Sequence, residues 1–159
     1  MLGEDIPAGE DSVVFDTDLV DLGSIICFDS IYEDNVLDSV RNGAEILCVS
    51  TNDSWFRDSR GVWMHRAQSQ LRAIETGRYV VRAANTGVSC VISPEGEVLD
   101  ELGPYVTGNS MSAVYPCDEI TLYTAMGNVF VYLCAAFVAG WAVCRLWEST
   151  KRLRRTAKT

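Results

Sequence analysis

The sequence predicts an α/β domain followed by one membrane-spanning helix. Three observations predict it: apolar runs of strand length alternate with stretches of helical period, a hairpin closes that series, and an uncharged run from Ala125 to Cys144 leads into a basic tail. With 159 residues, 48% hydrophobic and 22% charged, the chain is long enough to bury a core as one ordinary domain. This composition excludes a disordered, collagen-like or disulfide-scaffold protein.

The run Gly23 to Phe28 (GSIICF) has strand length, and Asp29-Ser30 behind it is a good N-cap pair. Ile31 to Asn42 places Tyr32, Val36 and Val40 on one helical face and ends at Asn42-Gly43, a left-handed stop. Glu45 to Ser50 is the second strand, opening into a polar loop from Thr51 to Gly61. Val62 to Thr76 reads as a helix with Trp63, Ala67, Leu71 and Ile74 along one side, closed by Gly77. Arg78 to Ala84 is the third strand. Ser89 to Ile92 and Glu97 to Leu99 form a hairpin about Ser93-Pro94-Glu95-Gly96, where Gly96 is a turn glycine.

At 1.5 Å per residue, Ala125 to Cys144 as a helix spans about 30 Å, the hydrocarbon thickness of a bilayer. A buried core helix normally keeps a polar stripe, and this run has none. The small residues Ala135, Ala136, Ala139 and Gly140 suit close packing against another membrane helix. Six of the 13 basic residues lie from Arg145 onward. By the positive-inside rule that end is cytoplasmic, which places the body on the extracytoplasmic face of the cell membrane. The body holds seven arginines against 21 acids, a net charge near −14, and no lysine before Lys151. Such a body does not displace counterions from nucleic-acid phosphates, so nucleic acid is excluded as a partner. The expected organisation is an acidic segment over 1–22, a domain over 23–120, a transmembrane helix over 125–146 and a basic cytoplasmic tail over 147–159. The acidic segment has no basic n-region or apolar h-region, so it does not read as a signal peptide and instead suggests the interior of a longer protein.

The cysteines at 27, 48, 90, 117, 134 and 144 show no zinc spacing and are expected to be mostly free, buried thiols. Cys27 differs from the others because it ends a strand directly before a helix. Unpaired N–H groups and the partial positive charge of a helix start can activate a thiol or hold an oxyanion there. His65, the one histidine, offers a Cys27–His65 dyad of the papain type or a structural hydrogen-bonding role. Asp53 with Asp58 suggests either a cation site or, more simply, a solvated acidic loop; no metal is expected. Arg72, Arg78 and Arg82 are expected to pair with carboxylates rather than with phosphate.

The words ICFDSIYEDNV at 26–36, NGAEILCVSTNDSWF at 42–56, HRAQSQLRAIETGRYVVRAANTGVSCVISPEGEV at 65–98 and TLYTAMGN at 121–128 resemble the carboxy-terminal part of the bacterial apolipoprotein N-acyltransferases. These are membrane members of the nitrilase, or carbon–nitrogen hydrolase, superfamily. The resemblance implies a partial nitrilase-like α-β-β-α sandwich followed by one C-terminal transmembrane helix. It implies an acyl chain taken from a phospholipid donor onto Cys27 as a thioester and passed to the amino group of a lipoprotein acceptor, with no cofactor. Phe28 stands where the family usually has Tyr, and Asp29 where it usually has Glu. The shorter carboxylate pulls back by one methylene, so a hydrogen bond near the nucleophile is lost or water-mediated. Trp55 and Phe56 match the loop that borders the active site and its lipid entry.

By the same resemblance, a Glu base and a Lys stabiliser precede the nucleophile, and a thiol of ordinary pKa near 8.5 needs such help. Lysine is unavailable, and Glu4 and Glu10 lie in a stretch that does not match the base's motif. The chain is therefore expected to be a truncated form, inactive alone, that lacks an amino-terminal half as partner and leaves one sheet edge and one sheet face uncovered. The competing expectations are an amide or nitrile hydrolase of the same superfamily, in which the apolar tail has no purpose, and a non-catalytic membrane-anchored partner subunit.

Overall fold

The computed structural model describes Gly9 and residues 12–156, so Glu4 and Glu10 of the acidic segment and Lys158 of the tail lie outside the described residues. The chain divides after Ala125 into two bodies. In the first, strands β1 (Val14–Phe15), β2 (Leu22–Ile26), β3 (Ile46–Asn52), β4 (Tyr79–Asn85), β5 (Ser89–Ile92) and β6 (Val98–Leu102) form one sheet in that spatial order. Strands β2, β3 and β4 are parallel, and the other pairings are antiparallel. Helix α1 (Glu33–Arg41) joins β2 to β3, and α2 (Arg60–Thr76) joins β3 to β4.

Right-handed crossovers along a strand order that advances one way put both helices on the same face of a sheet. Accordingly Val36 and Val40 of α1 and Val62 and Ala73 of α2 share one core with Ile25, Leu47, Val49 and Val80. Each such aliphatic side chain contributes about 1.5–3 kcal/mol on burial. The opposite sheet face carries no helix of this body. Ile26 is 64% exposed there, and Ser24, Ser50 and Ala83 are exposed. Part of that face is crossed by the segment around Tyr115, whose ring meets Tyr79 edge-on at 6.3 Å. An α/β sheet clad by helices on one side and only partly covered on the other is the geometry expected of part of a layered sandwich.

Each expected strand and helix of this body is present, and the hairpin turns at Gly96 with φ +82°. Strand β1 is additional, β2 ends at Ile26 and β6 runs on to Leu102, and four further details differ. Tyr32 caps α1 from outside it and is exposed, while Leu37 joins Val36 and Val40 inside. Strand β3 runs on through Thr51 and Asn52. Helix α2 starts earlier than Val62, because the Ser59 hydroxyl accepts from the Gly61 amide and caps it. Its apolar side is also the exposed side, with Trp63 at 45% and Ile74 at 53%. The buried stripe is Val62, His65, Ser69, Arg72, Ala73 and Thr76, which keeps the helical period with polar residues. Partners for this stripe come from beneath the helix, Asp53 for His65 and Arg82 for Ser69, and from the helix itself, where the Thr76 hydroxyl donates to the Arg72 carbonyl at 2.6 Å.

Of the three arginines, Arg72 pairs with Glu75 at 3.0 Å and Arg82 with Asp53 at 2.8 Å. Arg78 departs from the expectation by donating to the carbonyls of Ala44 at 2.8 Å, Thr76 at 3.3 Å and Glu119. All six cysteines are free, though only Cys90 of those in the first body is fully buried.

The uncharged run is divided. Ala125 and Met126 end a short helix, α3 (Leu122–Met126), and Gly127 turns the chain at φ +58° before α4 (Val129–Thr156) begins. Over Val129–Trp147, α4 is long and apolar enough to cross a bilayer, with a mean hydropathy of 2.0.

Candidate active site

Strand β2 delivers Cys27 to the carboxyl end of the parallel strands. The chain then tightens into a 3-10 turn over Cys27–Ile31, and α1 starts only at Glu33. The thiol therefore sits at the start of a single short turn rather than at the start of an α-helix, which corrects the expectation of a helix N-terminus. Cys27 itself has φ +51°. For a residue with a Cβ, this left-handed conformation costs roughly 1–2 kcal/mol and persists only where the surroundings enforce it.

The surroundings are a buried polar network under the turn. The Ser30 hydroxyl donates to the Cys27 carbonyl at 2.7 Å. His65 of α2 brings Nε2 to 3.3 Å from that same carbonyl oxygen and 3.3 Å from Ser30 Oγ. Its Nδ1 lies 2.8 Å from Asp53 Oδ1. A carboxylate and a peptide carbonyl only accept, so both ring contacts require a proton on each nitrogen: Nδ1–H donates to Asp53 and Nε2–H to the Cys27 carbonyl, while Arg82 Nη2 donates to Asp53 Oδ2 at 2.8 Å. The 3.0 Å approach of Arg82 Nη2 to Nδ1 follows from both groups converging on one carboxylate. Thr51 Oγ1 donates to Asp53 Oδ1 at 2.9 Å. Arg82 is further held by the Val88 carbonyl and Ser69 Oγ, each at 3.2 Å. Ser30, Asp53, His65 and Arg82 are all buried.

One expectation changes here. Asp53 is not part of a solvated acidic loop: it is buried between His65 and Arg82, while Asp58 is exposed. His65 makes its contact with Cys27 at the backbone carbonyl, in keeping with the hydrogen-bonding role rather than a papain-type dyad. Gly87 makes room for the network, since a Cβ there would come within 2.7 Å of Asp53 Cβ and Cγ. Among the described residues no group of three His, Cys, Asp or Glu is arranged to hold a metal ion.

Phe28 and Phe56 stack at 6.0 Å between centroids, and both rings face His65, at 5.4 and 5.7 Å. This brings together the cysteine turn and the Trp55-Phe56 loop, which the sequence could only juxtapose by resemblance. Trp55 is 86% exposed beside them. Asp29 is exposed and opens, with Ile26, Phe15 and Asp38, onto a groove of about 710 Å3 that does not include Cys27 among its lining residues. The members that sequence reasoning missed are Ser30 and Arg82. Ser30 read as a helix cap and Arg82 as a partner for some carboxylate, and only the β3–β4 register, which sets Arg82 beside Val49, reveals its inward direction.

The mixed sheet clad by helices on one face belongs to a chain whose residues 3–115 match the family model described as carbon-nitrogen hydrolase. The chain belongs to that family. Its fold is likewise that of the carbon-nitrogen hydrolase from Helicobacter pylori, with a TM-score of 0.57 at 18% identity over 62% of this chain and 41% of that one. Within the family it is similar to apolipoprotein N-acyltransferases. The one from Wigglesworthia glossinidia brevipalpis is 34% identical over 73% of this chain and 23% of its own length. The one from Gloeobacter violaceus is 41% identical over 70% of this chain and 21% of its own length. The chain thus spans about a fifth of the length of these curated relatives.

Proposed function

We propose that this chain carries the nucleophile of a membrane N-acyltransferase that modifies lipoproteins. The observation that carries the reading is the strained Cys27 at the end of β2, in a chain that over 70% of its length is 41% identical to a relative named apolipoprotein N-acyltransferase. In the first step the Cys27 thiolate attacks the ester carbonyl of a phospholipid. The ester C–O bond breaks, the lysophospholipid leaves as its alcohol, and a thioester remains. In the second step the amino group of a lipoprotein attacks that thioester, the C–S bond breaks, and the nitrogen gives up a proton as the amide forms.

Phe28, Phe56 and the exposed Trp55 offer an apolar approach for an acyl chain, and Asp29 a polar one at its rim. The apolar stretch of α4 supports a membrane setting, with the sheet domain on the extracytoplasmic face and the basic tail in the cytoplasm. It also favours the transferase over an amide hydrolase of the same family. The Glu base and Lys stabiliser that the resemblance implies have no matching positions among these residues, so the proposal concerns the nucleophile, and the test supplies the other groups on a co-expressed amino-terminal half.

The test is label transfer. Membranes holding the chain together with a co-expressed amino-terminal half are given a phospholipid with a labelled acyl chain, then a peptide with a lipidated amino-terminal cysteine. Label reaching the peptide amine, and lost with Cys27→Ser, is the expected result. Release of the label only as free fatty acid would favour the hydrolase, and equal transfer by Cys27→Ser would overturn the reading.

A further inference from the structure

We infer that His65 is a positioning residue for the nucleophile, holding Cys27 in its left-handed conformation through the backbone carbonyl. The inference rests on the reading of Cys27 as the nucleophile. A residue with φ +51° and a Cβ relaxes toward ordinary backbone unless something opposes it. The turn is only Cys27–Ile31, and its Ile26 N-cap position receives no side-chain hydrogen bond. What opposes relaxation is the pair of contacts on the Cys27 carbonyl, Ser30 Oγ at 2.7 Å and His65 Nε2 at 3.3 Å.

Ser30 lies within the turn and moves with it. His65 belongs to a different element, α2, and so ties the turn to the body of the domain. Its ring cannot rotate away, because Nδ1 is bound to Asp53 at 2.8 Å and Asp53 is bound to Arg82 of β4 at 2.8 Å. The chain of contacts runs from the sheet through Arg82, Asp53 and His65 to the peptide of the cysteine. Buried polar groups joined this way are rigid when fully satisfied and fail together when one is removed. A nucleophile displaced by about 1 Å loses roughly 100-fold in rate.

The experiment uses the chain in membranes with its co-expressed amino-terminal half and compares His65→Ala, His65→Gln and Val62→Ala. Val62 is buried on the same helix and has no polar group, so its truncation loosens α2 without removing a hydrogen bond from the Cys27 carbonyl. Two quantities are read: the kinetics of acyl transfer, and amide hydrogen exchange over residues 26–32, which needs no acyl donor. For His65→Ala the expectation is a kcat lowered roughly 100-fold with KM for the phospholipid unchanged, and faster exchange at the turn while β3 and β4 stay protected. In His65→Gln, whose amide reaches the same carbonyl, both effects are largely reversed. Val62→Ala leaves exchange at the turn unchanged.

Wild-type exchange over 26–32 in His65→Ala overturns the inference, as does an equal effect of Val62→Ala. Faster exchange without measurable acyl transfer in the unaltered protein leaves the positioning role standing and removes the acyltransferase reading, so the two failures are distinguishable.

Discussion

Asp53 and Arg82 form an ion pair at 2.8 Å in which neither side chain is reached by solvent. Removing one partner of such a pair leaves a desolvated charge without compensation, which costs about 3–5 kcal/mol. Asp53→Ala is therefore expected to lose that much in urea unfolding. The exposed Arg41–Asp38 pair, at 3.0 Å on the surface of α1, is the contrast. Asp38→Ala is expected to lose less than about 1 kcal/mol.

The backbone at Cys27 gives a prediction of opposite sign. Glycine adopts φ +51° without strain, whereas alanine shares the penalty of cysteine. Cys27→Gly and Cys27→Ala both lack the thiol, yet Cys27→Gly is expected to unfold at higher temperature, by about 1 kcal/mol of stability. Equal stability of the two would mean that the surroundings do not enforce the conformation.

Gly87 is expected to tolerate no side chain. A methyl group there lands on the Asp53 side chain, and buried overpacking of this kind costs about 1–3 kcal/mol. Because Asp53 orients His65, Gly87→Ala is also expected to raise hydrogen exchange at the cysteine turn. That effect separates it from Gly103→Ala, where a Cβ meets nothing within 4 Å.

Cys90 introduces a dependence on alkaline pH. Burial pushes its thiol up to about 11, against the opposing pull of Arg66 and Arg82. The folded state thus favours the neutral thiol, while the unfolded chain ionises first. The contribution to stability is complete below about pH 9 and is lost as pH rises through about 11. Its steepest slope is about 1.4 kcal/mol per pH unit. Thermal unfolding across this range is expected to fall more steeply for the unaltered protein than for Cys90→Val, which has no proton to lose.

The order of elements from β2 to β6 was legible because each announces itself locally: β-branched runs for β3 and β4, Gly77 at the end of α2, and a turn glycine between β5 and β6. Facing was less legible. In α2 the apolar side chains mark the outside, because the inside is assigned by partners that arrive from other elements: Asp53 for His65, and Arg82 for Ser69. No local pattern in the sequence reports these contacts. Of the candidate site, the place of Cys27 at a strand end was legible locally, and the meeting of Phe28 with Phe56 only through the resemblance. Reading Asp53 as a solvated loop residue failed for the same reason as the facing of α2, since its burial depends on β3 continuing through Asn52 and on Arg82 pointing inward.

The central claim is that one thiol, Cys27, takes up the acyl group. It is tested most directly by trapping and mapping the adduct. Membranes with the chain and its amino-terminal half are incubated with a labelled phospholipid, and the acidified protein is digested and analysed by mass. The account predicts a hydroxylamine-sensitive acyl group on the peptide containing Cys27, and none on those containing Cys48, Cys90 or Cys117. An acyl group mapped to another residue, or no adduct at Cys27 when transfer is under way, would contradict it.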